Sequence, residues 1–224
     1  MANARPVIAH VLHRLDRAGA EVLAAALARD LRDRFEFVFF CLDGLGPLAD
    51  ELIDDGFIVE ALDRKPGLDR GLAKRLHQRL AHHRVDVIHT HQYTPFFYSA
   101  LSRGLLQSSP PILFTEHGRH VPDNPSLKRR LANKLLLKQT DRVTAVSAFV
   151  KQALIKNEGI PAQRITVVHN GIDPAPAPGS DHGSDPGSDN REDEHRKARE
   201  LLNIDPDRPV VMQVARFHPV KDHA

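Results

Sequence analysis

The sequence has few of the residues on which several classes of protein depend. It contains a single cysteine, Cys41, which excludes a disulfide framework and any zinc site built on paired thiolates, and which favours a reducing compartment. It has no tryptophan and only 5% aromatic residues, too few to suggest the stacking surfaces that bind single-stranded nucleic acid. Its 31 Lys and Arg residues nearly balance its 29 Asp and Glu residues, so no strong positive field attracts nucleic acid.

Long apolar segments are also missing. Residues 1–15 have no uninterrupted apolar stretch behind a basic start, and no window approaches the roughly 18–20 apolar residues of a spanning helix. We therefore expect a cytoplasmic protein that acts on small molecules. The 224 residues correspond to roughly one and a half domains, and a hydrophobic content of 41% is enough to build a core.

Short apolar runs alternate with longer amphipathic stretches, a pattern typical of βα units around a parallel sheet. The runs are rich in Val, Ile and Phe and mostly continuous, as expected of strands that are covered on both faces. The sequence therefore predicts an α/β fold with a Rossmann-like, doubly wound parallel sheet. The predicted strands cover residues 7–12, 35–42, 57–62, 85–89, 112–115, 142–146, 165–168 and 210–214, and the predicted helices cover residues 21–33, 47–55, 69–83, 95–106, 126–138, 148–157 and 192–202.

Composition divides the chain into three predicted parts. Residues 1–173 form the first α/β domain. Residues 174–190, PAPAPGSDHGSDPGSDN, cannot bury apolar surface and are expected to be a disordered linker. A calcium loop is disfavoured there, because no glutamate closes the set of Asp and Ser oxygens. Residues 191–224 are expected to be the incomplete start of a second α/β domain.

Reactive side chains follow two predicted strands at the edge where open parallel sheets bind ligands. The segments DVIHTH (86–91) and TEHG (115–118) place His91, Glu116 and His117 at this edge. His89 and His91 lie two residues apart on one strand face. They could pair on a metal, but two ligands without a third at a defined spacing make a poor site, so we expect no metal.

Other segments each permit a structural and a functional interpretation. Residues 13–21, HRLDRAGAE, form a small-residue turn before the first helix, where backbone N–H groups can approach a phosphate. Close packing of Gly19 explains the same turn, and the dinucleotide pattern GxGxxG is not present. Ser147 is a natural helix N-cap, and Asn170 with Gly171 favours a turn. The cations Arg216 and Lys221 follow the last predicted strand and could clamp a diphosphate.

Taken in this order, these segments resemble the retaining GT-B glycosyltransferases of family 4, the group 1 type. The resemblance is spread over nearly the whole chain. AGAE (18–21) is similar to the family's GGxE loop, with alanine in place of the first glycine, and the two histidine-bearing segments are similar to its DV[IV]HxH and TxH[GD] motifs. The remaining matches are residues 145–147 to VS, residues 169–173 to NG[IV]D, and Arg216 with Lys221 to the Rx4K pair.

The resemblance implies a role for each of these positions. Gly19, Arg216 and Lys221 are expected to bind the nucleotide-sugar donor, and His117 is expected to be the catalytic residue that reaches the transferred sugar. The acceptor side of the cleft is expected to contain His91, Glu116, Ser147 and Asn170. No metal or other cofactor is implied, because cations and a helix N-terminus stabilise the leaving diphosphate.

The implied activity is that of a retaining hexosyltransferase. It would transfer a sugar from a nucleotide-diphosphate donor to a saccharide or lipid-linked acceptor of the envelope or exopolysaccharide type. The family's Ex7E segment lies past residue 224, so we expect a C-terminally truncated enzyme whose acceptor-side half does not turn over alone. A non-catalytic truncated binding module and a nucleotide-sugar epimerase of the same fold are the alternatives.

A basic amphipathic segment suggests a further partner. Residues 125–138, PSLKRRLANKLLLK, place five cations among five leucines. Such a helix can lie on anionic lipid at the inner face of the membrane. The alternative is a packed outer helix with a solvated basic face. No nucleic-acid partner is expected.

Overall fold

The computed structural model describes residues 5–104, 110–118, 123–171, 196–205 and 208. The chain divides into two compact units, Met1–Asn170 and Gly171–Ala224. In the second unit a helix covers residues 196–201, and the Arg199 guanidinium donates to the Asp205 carbonyl at 2.6 Å. The predicted linker and the predicted strand at 210–214 lie outside the described residues. In the described ranges, no helix is both long enough and apolar enough to cross a membrane.

The first unit contains a parallel sheet of seven strands within the described residues, which confirms the predicted Rossmann-like α/β fold. The strand order is β3-β2-β1-β4-β5-β6-β7. The strands are β1 (Val7–Leu12), β2 (Glu36–Cys41), β3 (Ile58–Ala61), β4 (Val87–His91), β5 (Ile112–Glu116), β6 (Arg142–Ala145) and β7 (Ile165–Val167). β4 ends two residues later than predicted, because Thr90 and His91 are buried in the sheet and do not lie in the following loop.

Six helices connect these strands within the described residues: α1 (Gly19–Leu31), α2 (Leu48–Asp54), α3 (Leu72–His82), α4 (Tyr93–Arg103), α5 (Leu127–Leu136) and α6 (Ala148–Glu158). α4 begins two residues before the predicted Pro95, since proline is tolerated in a first turn, where its missing N–H has no helical partner. α3 begins later than predicted, because the Asp69 side chain accepts the Gly71 and Leu72 N–H groups and ends the preceding turn.

Each face of the sheet has its own core. One core packs Leu12, Phe37 and Phe39 against α1 and α2. The other packs Val11, Phe40 and Phe114 against α3, α4 and α6. Side chains alternate between the two faces along each strand, so neighbours on one strand reach different helices. The sheet is therefore covered on both faces, as the continuous apolar runs predict.

A close backbone contact positions the loop after β1. Leu48 donates its N–H to the Leu15 carbonyl at 2.9 Å, which ties the start of α2 to this loop. A Cβ at Gly46 would lie 2.4 Å from the Leu15 carbonyl carbon and 2.7 Å from the Asp16 nitrogen. Backbone atoms cannot rotate away as a flexible side chain can. Glycine is therefore required at this position by the packing of two loops.

We expect Gly46→Ala to lower the free energy of unfolding by about 1–3 kcal/mol, the usual cost of overpacking. Urea denaturation followed by circular dichroism measures this loss. Gly19→Ala is the matched control: a Cβ at Gly19 meets no described atom within 4 Å, so its effect should stay within about 0.5 kcal/mol. Equal stability of the two variants would contradict the assigned contact.

Candidate functional site

The strand order reverses between β1 and β4, which are hydrogen-bonded neighbours. The helix after β1 packs on one face of the sheet and the helix after β4 packs on the other. A crevice forms where two such connections diverge at the carboxyl ends of the strands, and open α/β sheets bind ligands there. The turn before α1 and the end of β4 both lie at this edge. The candidate site is therefore built around these two strands.

The N-terminus of α1 has no side-chain cap. Its N-cap is Ala18, in an extended conformation, whose methyl side chain makes no capping hydrogen bond, and the first turn contains one acidic residue, Glu21. Gly19, the first helical residue, is exposed and has no positive φ, and a Cβ added to it would meet no described atom within 4 Å outside its chain neighbours and its own helix. Neither packing nor backbone conformation requires glycine here, so the packing explanation of this turn is wrong. An uncapped helix start favours negative charge.

Three histidines form a hydrogen-bonded row across the sheet, which we call the histidine row. His10 on β1 lies opposite His89 of β4 in the strand register. His10 Nδ1 is 2.9 Å from His91 Nε2, and His91 Nδ1 is 2.9 Å from His117 Nε2. The rings stack, with centroids 5.1 Å apart in both pairs. The row therefore runs from the centre of β1 to the residue directly after β5.

The remaining imidazole of the cluster is held by hydroxyl groups. His89 Nε2 is 2.9 Å from Thr115 Oγ1, and this oxygen is 2.7 Å from Thr144 Oγ1. The His89 ring centroid lies 4.2 Å from that of His91. The polar groups of β4, β5 and β6 thus share the face on which the histidine row lies.

Burial keeps all four imidazoles neutral at pH 7. It lowers the pKa values of His10 and His91 far below the ordinary value, and repulsion from neighbouring imidazoles lowers them further. Burial also lowers the pKa of His89 to about 3, with a contribution from His117. The pKa of His117 falls to about 4 for the same reason. The site therefore offers neutral hydrogen-bonding groups and no imidazolium charge.

Three of these histidines also lie close enough together to be candidate ligands of a single metal ion. One ligand nitrogen each of His10, His89 and His91 lies within 4.8 Å of the others. The sequence indicated only two of these candidate ligands, and His10 adds a third from β1. However, the 2.9 Å between His10 Nδ1 and His91 Nε2 fits a hydrogen bond better than the roughly 3.3 Å between two nitrogens on a tetrahedral zinc.

The other predicted site residues lie at different places on this edge. Glu116 ends β5 and is buried, but strand alternation directs it to the face opposite Thr115 and the histidines. Ser147 caps α6, where its hydroxyl oxygen accepts the Val150 N–H at 3.2 Å. Asn170 is exposed beyond β7. Arg216 and Lys221 lie outside the described residues.

Two features of this edge were missed in the sequence. His10 sits inside the apolar run VIAHVL and resembles a core residue until the register places it opposite His89. A second cluster joins the ends of β1, β2 and β3: Asp43 accepts from His13 Nδ1 at 2.7 Å and from Arg64 Nε at 2.5 Å. Burial opposes ionisation, but these hydrogen bonds hold the pKa of Asp43 below its usual range.

Comparison with known proteins identifies the family. Residues 17–176 match the model of Glycosyltransferase Family 4. The chain belongs to this family. The match confirms the resemblance seen in the sequence motifs; it begins after β1 and includes β2 to β7. No curated protein matches the sequence of this chain.

Solved structures with the same fold are glycosyltransferases of GT-B type. A glycosyltransferase from Rickettsia africae superposes with a TM-score of 0.66 at 19% identity, over 92% of this chain and 52% of its own. Anabaena HepE in complex with UDP gives 0.63 at 20% identity, over 88% and 50%. The lipopolysaccharide outer core galactosyltransferase WaaB gives 0.52 at 16% identity, over 74% and 46%. The family 4 chain thus spans about half the length of these structures.

The buried histidines of this family 4 chain should make its folding sensitive to acid. The pKa values of His10, His89 and His91 lie below the ordinary 6.5 in the folded state, so the unfolded chain binds more protons below that pH. Above pH 6.5 these histidines leave the free energy of unfolding unchanged. Below it, that free energy falls as the pH drops towards the folded-state pKa values. We expect each of these histidines to lower the free energy of unfolding by about 1.4 kcal/mol when the pH falls from 7.5 to 5.5.

Urea denaturation at these two pH values measures the difference. In His10→Phe the loss on acidification should be smaller by about 1.4 kcal/mol, and His82→Gln, at an exposed position on α3, is the matched control. An unchanged loss in His10→Phe would show that this imidazole is not held neutral.

Proposed function

We propose that this chain is the acceptor-side domain of a retaining glycosyltransferase, one that transfers a hexosyl group from a nucleotide-diphosphate sugar to a hydroxyl of an envelope or exopolysaccharide-type acceptor. One observation carries the proposal: the uncapped start of α1 and the neutral His117 lie at the same edge of the sheet, on either side of the switch point. Family membership supports the same reaction class.

The donor fits the chemistry of this edge. Backbone N–H groups at Gly19 favour phosphate oxygens, since a helix N-terminus carries partial positive charge. The related Anabaena HepE was crystallised with UDP and with UDP and glucose, which supports a nucleotide sugar as the donor. WaaB, which is described as a lipopolysaccharide outer core galactosyltransferase, supports an envelope acceptor. No metal or other cofactor is part of the proposal.

Retention would follow from attack on the face that the diphosphate leaves. The bond between the sugar C1 and the diphosphate oxygen breaks, and its electron pair departs with the diphosphate. The acceptor oxygen then bonds to C1 on the same face, and its proton passes to the departing phosphate oxygen. Fixed dipoles at Gly19, and the cations predicted at Arg216 and Lys221, would stabilise this charge more in the transition state than in the ground state.

Turnover would require a donor-side domain in addition to this chain. The resemblance places the Ex7E segment, which holds the sugar and the nucleotide, after the Arg216 and Lys221 pair. Acceptor binding and the first phosphate contacts would come from the described unit. The separated half would then bind ligands weakly and transfer no sugar.

We expect diphosphate release from nucleotide sugars only from a protein in which this chain is joined to a donor-side domain. In that protein, His117→Ala should lower kcat/KM by on the order of 100-fold, because a group that stabilises the transition state is removed. His82→Ala, on the exposed side of α3, is the matched control. A coupled assay for the nucleoside diphosphate, with mass spectrometry of the product, measures both.

Three outcomes would contradict the proposal. A stop codon directly after Ala224 would favour a non-catalytic binding module. A free sugar released without an acceptor would favour the epimerase reaction. A fully active His117→Ala variant would remove this residue from the mechanism.

We also propose that α5 attaches the enzyme to the inner face of an anionic membrane, where lipid-linked acceptors lie. Leu127, Leu131 and Leu135 are 82%, 63% and 78% exposed. The side of α5 that packs holds Asn133, whose amide donates to the Glu158 carbonyl at 3.0 Å. Leu136 and Leu137 pack against the core, as in an outer helix, whereas Leu127, Leu131 and Leu135 are covered by none of the described residues.

Positive charge accompanies this leucine stripe. Lys128 and Lys134 are exposed on the same helix. Arg129 is already engaged, since its guanidinium donates to Glu158 at 3.2 Å and lies 4.7 Å from the Tyr93 ring centroid. An apolar stripe flanked by lysines matches acyl chains flanked by anionic headgroups.

We expect the chain to co-sediment with vesicles of anionic phospholipid and much less with neutral vesicles. Leu131→Glu should weaken binding by on the order of 10-fold, because a leucine side chain no longer enters the bilayer, and Lys128→Glu with Lys134→Glu should remove the preference for anionic lipid. Leu68→Glu is the control, since Leu68 is 66% exposed but lies outside α5. Binding that is insensitive to all these changes would exclude α5 as the contact.

A further inference from the structure

Three side chains meet where β1, β2 and β3 end, and we call them the Asp43 cluster: His13, Asp43 and Arg64. Asp43 accepts from His13 Nδ1 at 2.7 Å through one oxygen and from Arg64 Nε at 2.5 Å through the other. His13 directly follows β1, a strand of the switch point, and begins the turn that leads to Gly19. The cluster therefore borders the crevice on the side of β2 and β3.

Backbone hydrogen bonds already join these strand ends without the cluster. Asp43 donates its N–H to the His13 carbonyl at 2.8 Å. Arg64 donates its N–H to the Leu42 carbonyl at 2.7 Å. The three side chains of the cluster are 24–31% exposed, and ion pairs that are open to solvent contribute little to stability. Holding the strands together therefore does not account for the cluster, and its exposed atoms are accessible to a ligand.

The position of the proton on His13 follows from its partner. Burial opposes the ionisation of Asp43, but hydrogen bonds from Arg64 and His13 hold its pKa below the usual range, so Asp43 is a carboxylate at neutral pH. A carboxylate can only accept hydrogen bonds, so Nδ1 of His13 carries the hydrogen. In the neutral ring the lone pair is therefore on Nε2, the ring nitrogen that Asp43 does not engage. His13 thus offers a fixed acceptor.

Arg64 is held in a similar way. Its hydrogen bond to Asp43 raises the pKa of the guanidinium, and Tyr98 adds to the same shift. The Tyr98 hydroxyl accepts the Asp69 N–H at 3.0 Å, so this neighbour is itself fixed. Asp43 engages only Nε, whereas the two terminal nitrogens of Arg64 carry four more N–H groups in a planar fork, more than Tyr98 can accept. Arg64 thus places hydrogen-bond donors beside the acceptor nitrogen of His13.

We propose that the Asp43 cluster binds the sugar of the acceptor through two adjacent hydroxyl groups, one donating to His13 Nε2 and the other accepting from the Arg64 guanidinium. The proposal rests on the transferase function and names its substrate class: an acceptor that ends in a neutral sugar with two adjacent free hydroxyls. Each hydroxyl can donate or accept, which matches one acceptor beside several donors. The Asp43 carboxylate balances the charge of Arg64, so the cluster offers a phosphate little net attraction.

Saturation-transfer NMR with the methyl glycosides of glucose, galactose and mannose tests the site in the chain itself. We expect saturable binding of at least one glycoside and no comparable binding of cyclohexanol, which has a single hydroxyl. In His13→Asn the side-chain amide still donates to Asp43 but the Nε2 acceptor is lost, so Kd should rise on the order of 10-fold. The urea midpoint of this variant should equal that of the parent, because the contact with Asp43 remains.

Two further measurements complete the test. His83→Gln is the matched control, because His83 Nε2 lies 2.8 Å from a Glu60 oxygen at the end of α3 and the glutamine amide keeps this contact. Its glycoside binding should equal that of the parent. In the 15N-histidine-labelled parent, long-range 1H–15N NMR should show the hydrogen of His13 on Nδ1, and the Nε2 signal of His13 should shift as the bound glycoside is added.

Failure to bind any of the three glycosides would overturn the proposal, as would an unchanged Kd in His13→Asn or equal binding of cyclohexanol. Displacement of the glycoside by inorganic phosphate would overturn it by showing an anion site. Binding that depends on His13, without sugar transfer when the chain is joined to a donor-side domain, would keep the sugar site and reject the transferase function. Sugar transfer that His13→Asn leaves unchanged would keep that function and reject the cluster as its acceptor site.

Discussion

Ladder hydrogen bonds between β1 and β4 hold His10 opposite His89, and the rest of the site follows from that register. A shift of one residue would turn every side chain of β4 to the other face. His91 would then leave His10, and the row to His117 could not form. The same two strands mark the point where the strand order reverses, so the contact that builds the row also opens the crevice that it faces.

Because these histidines are buried, the stability of the domain depends on their staying neutral. Burying an imidazole in the sheet removes water from two polar nitrogens, and the hydrogen bonds of the row replace only part of that solvation. Neutral rings tolerate such a site, whereas charged rings would repel one another at centroid distances of 4.2 to 5.1 Å. A domain that keeps four imidazoles neutral gains uncharged hydrogen-bonding groups and loses tolerance to acid.

The periodicity of the sequence was sufficient to predict the fold, because strands and helices are local patterns. The position of the loop at Gly19 followed in the same way, since a strand, a turn and a helix occur in order. The role of His10 could not be predicted, because it depends on which strands are neighbours. The leucines of α5 show a second limit: helical spacing predicts a stripe at residues 127, 131 and 135, but not whether another element covers it. Glu116 shows a third limit, since its position at the end of a strand does not reveal on which face of the sheet it lies.

In the proposed reaction, dipoles and cations that stabilise the transition state come from two different parts of the sequence. The described edge supplies the dipole at the start of α1 and the neutral imidazole of His117. A departing diphosphate carries full negative charge, which dipoles of this kind stabilise by only a fraction of what fixed cations contribute. The cations that the resemblance assigns to this task, Arg216 and Lys221, follow the first unit in the sequence. A neutral acceptor side would let the hydroxyl nucleophile approach C1 without competing charge, while fixed cations stabilise the leaving diphosphate.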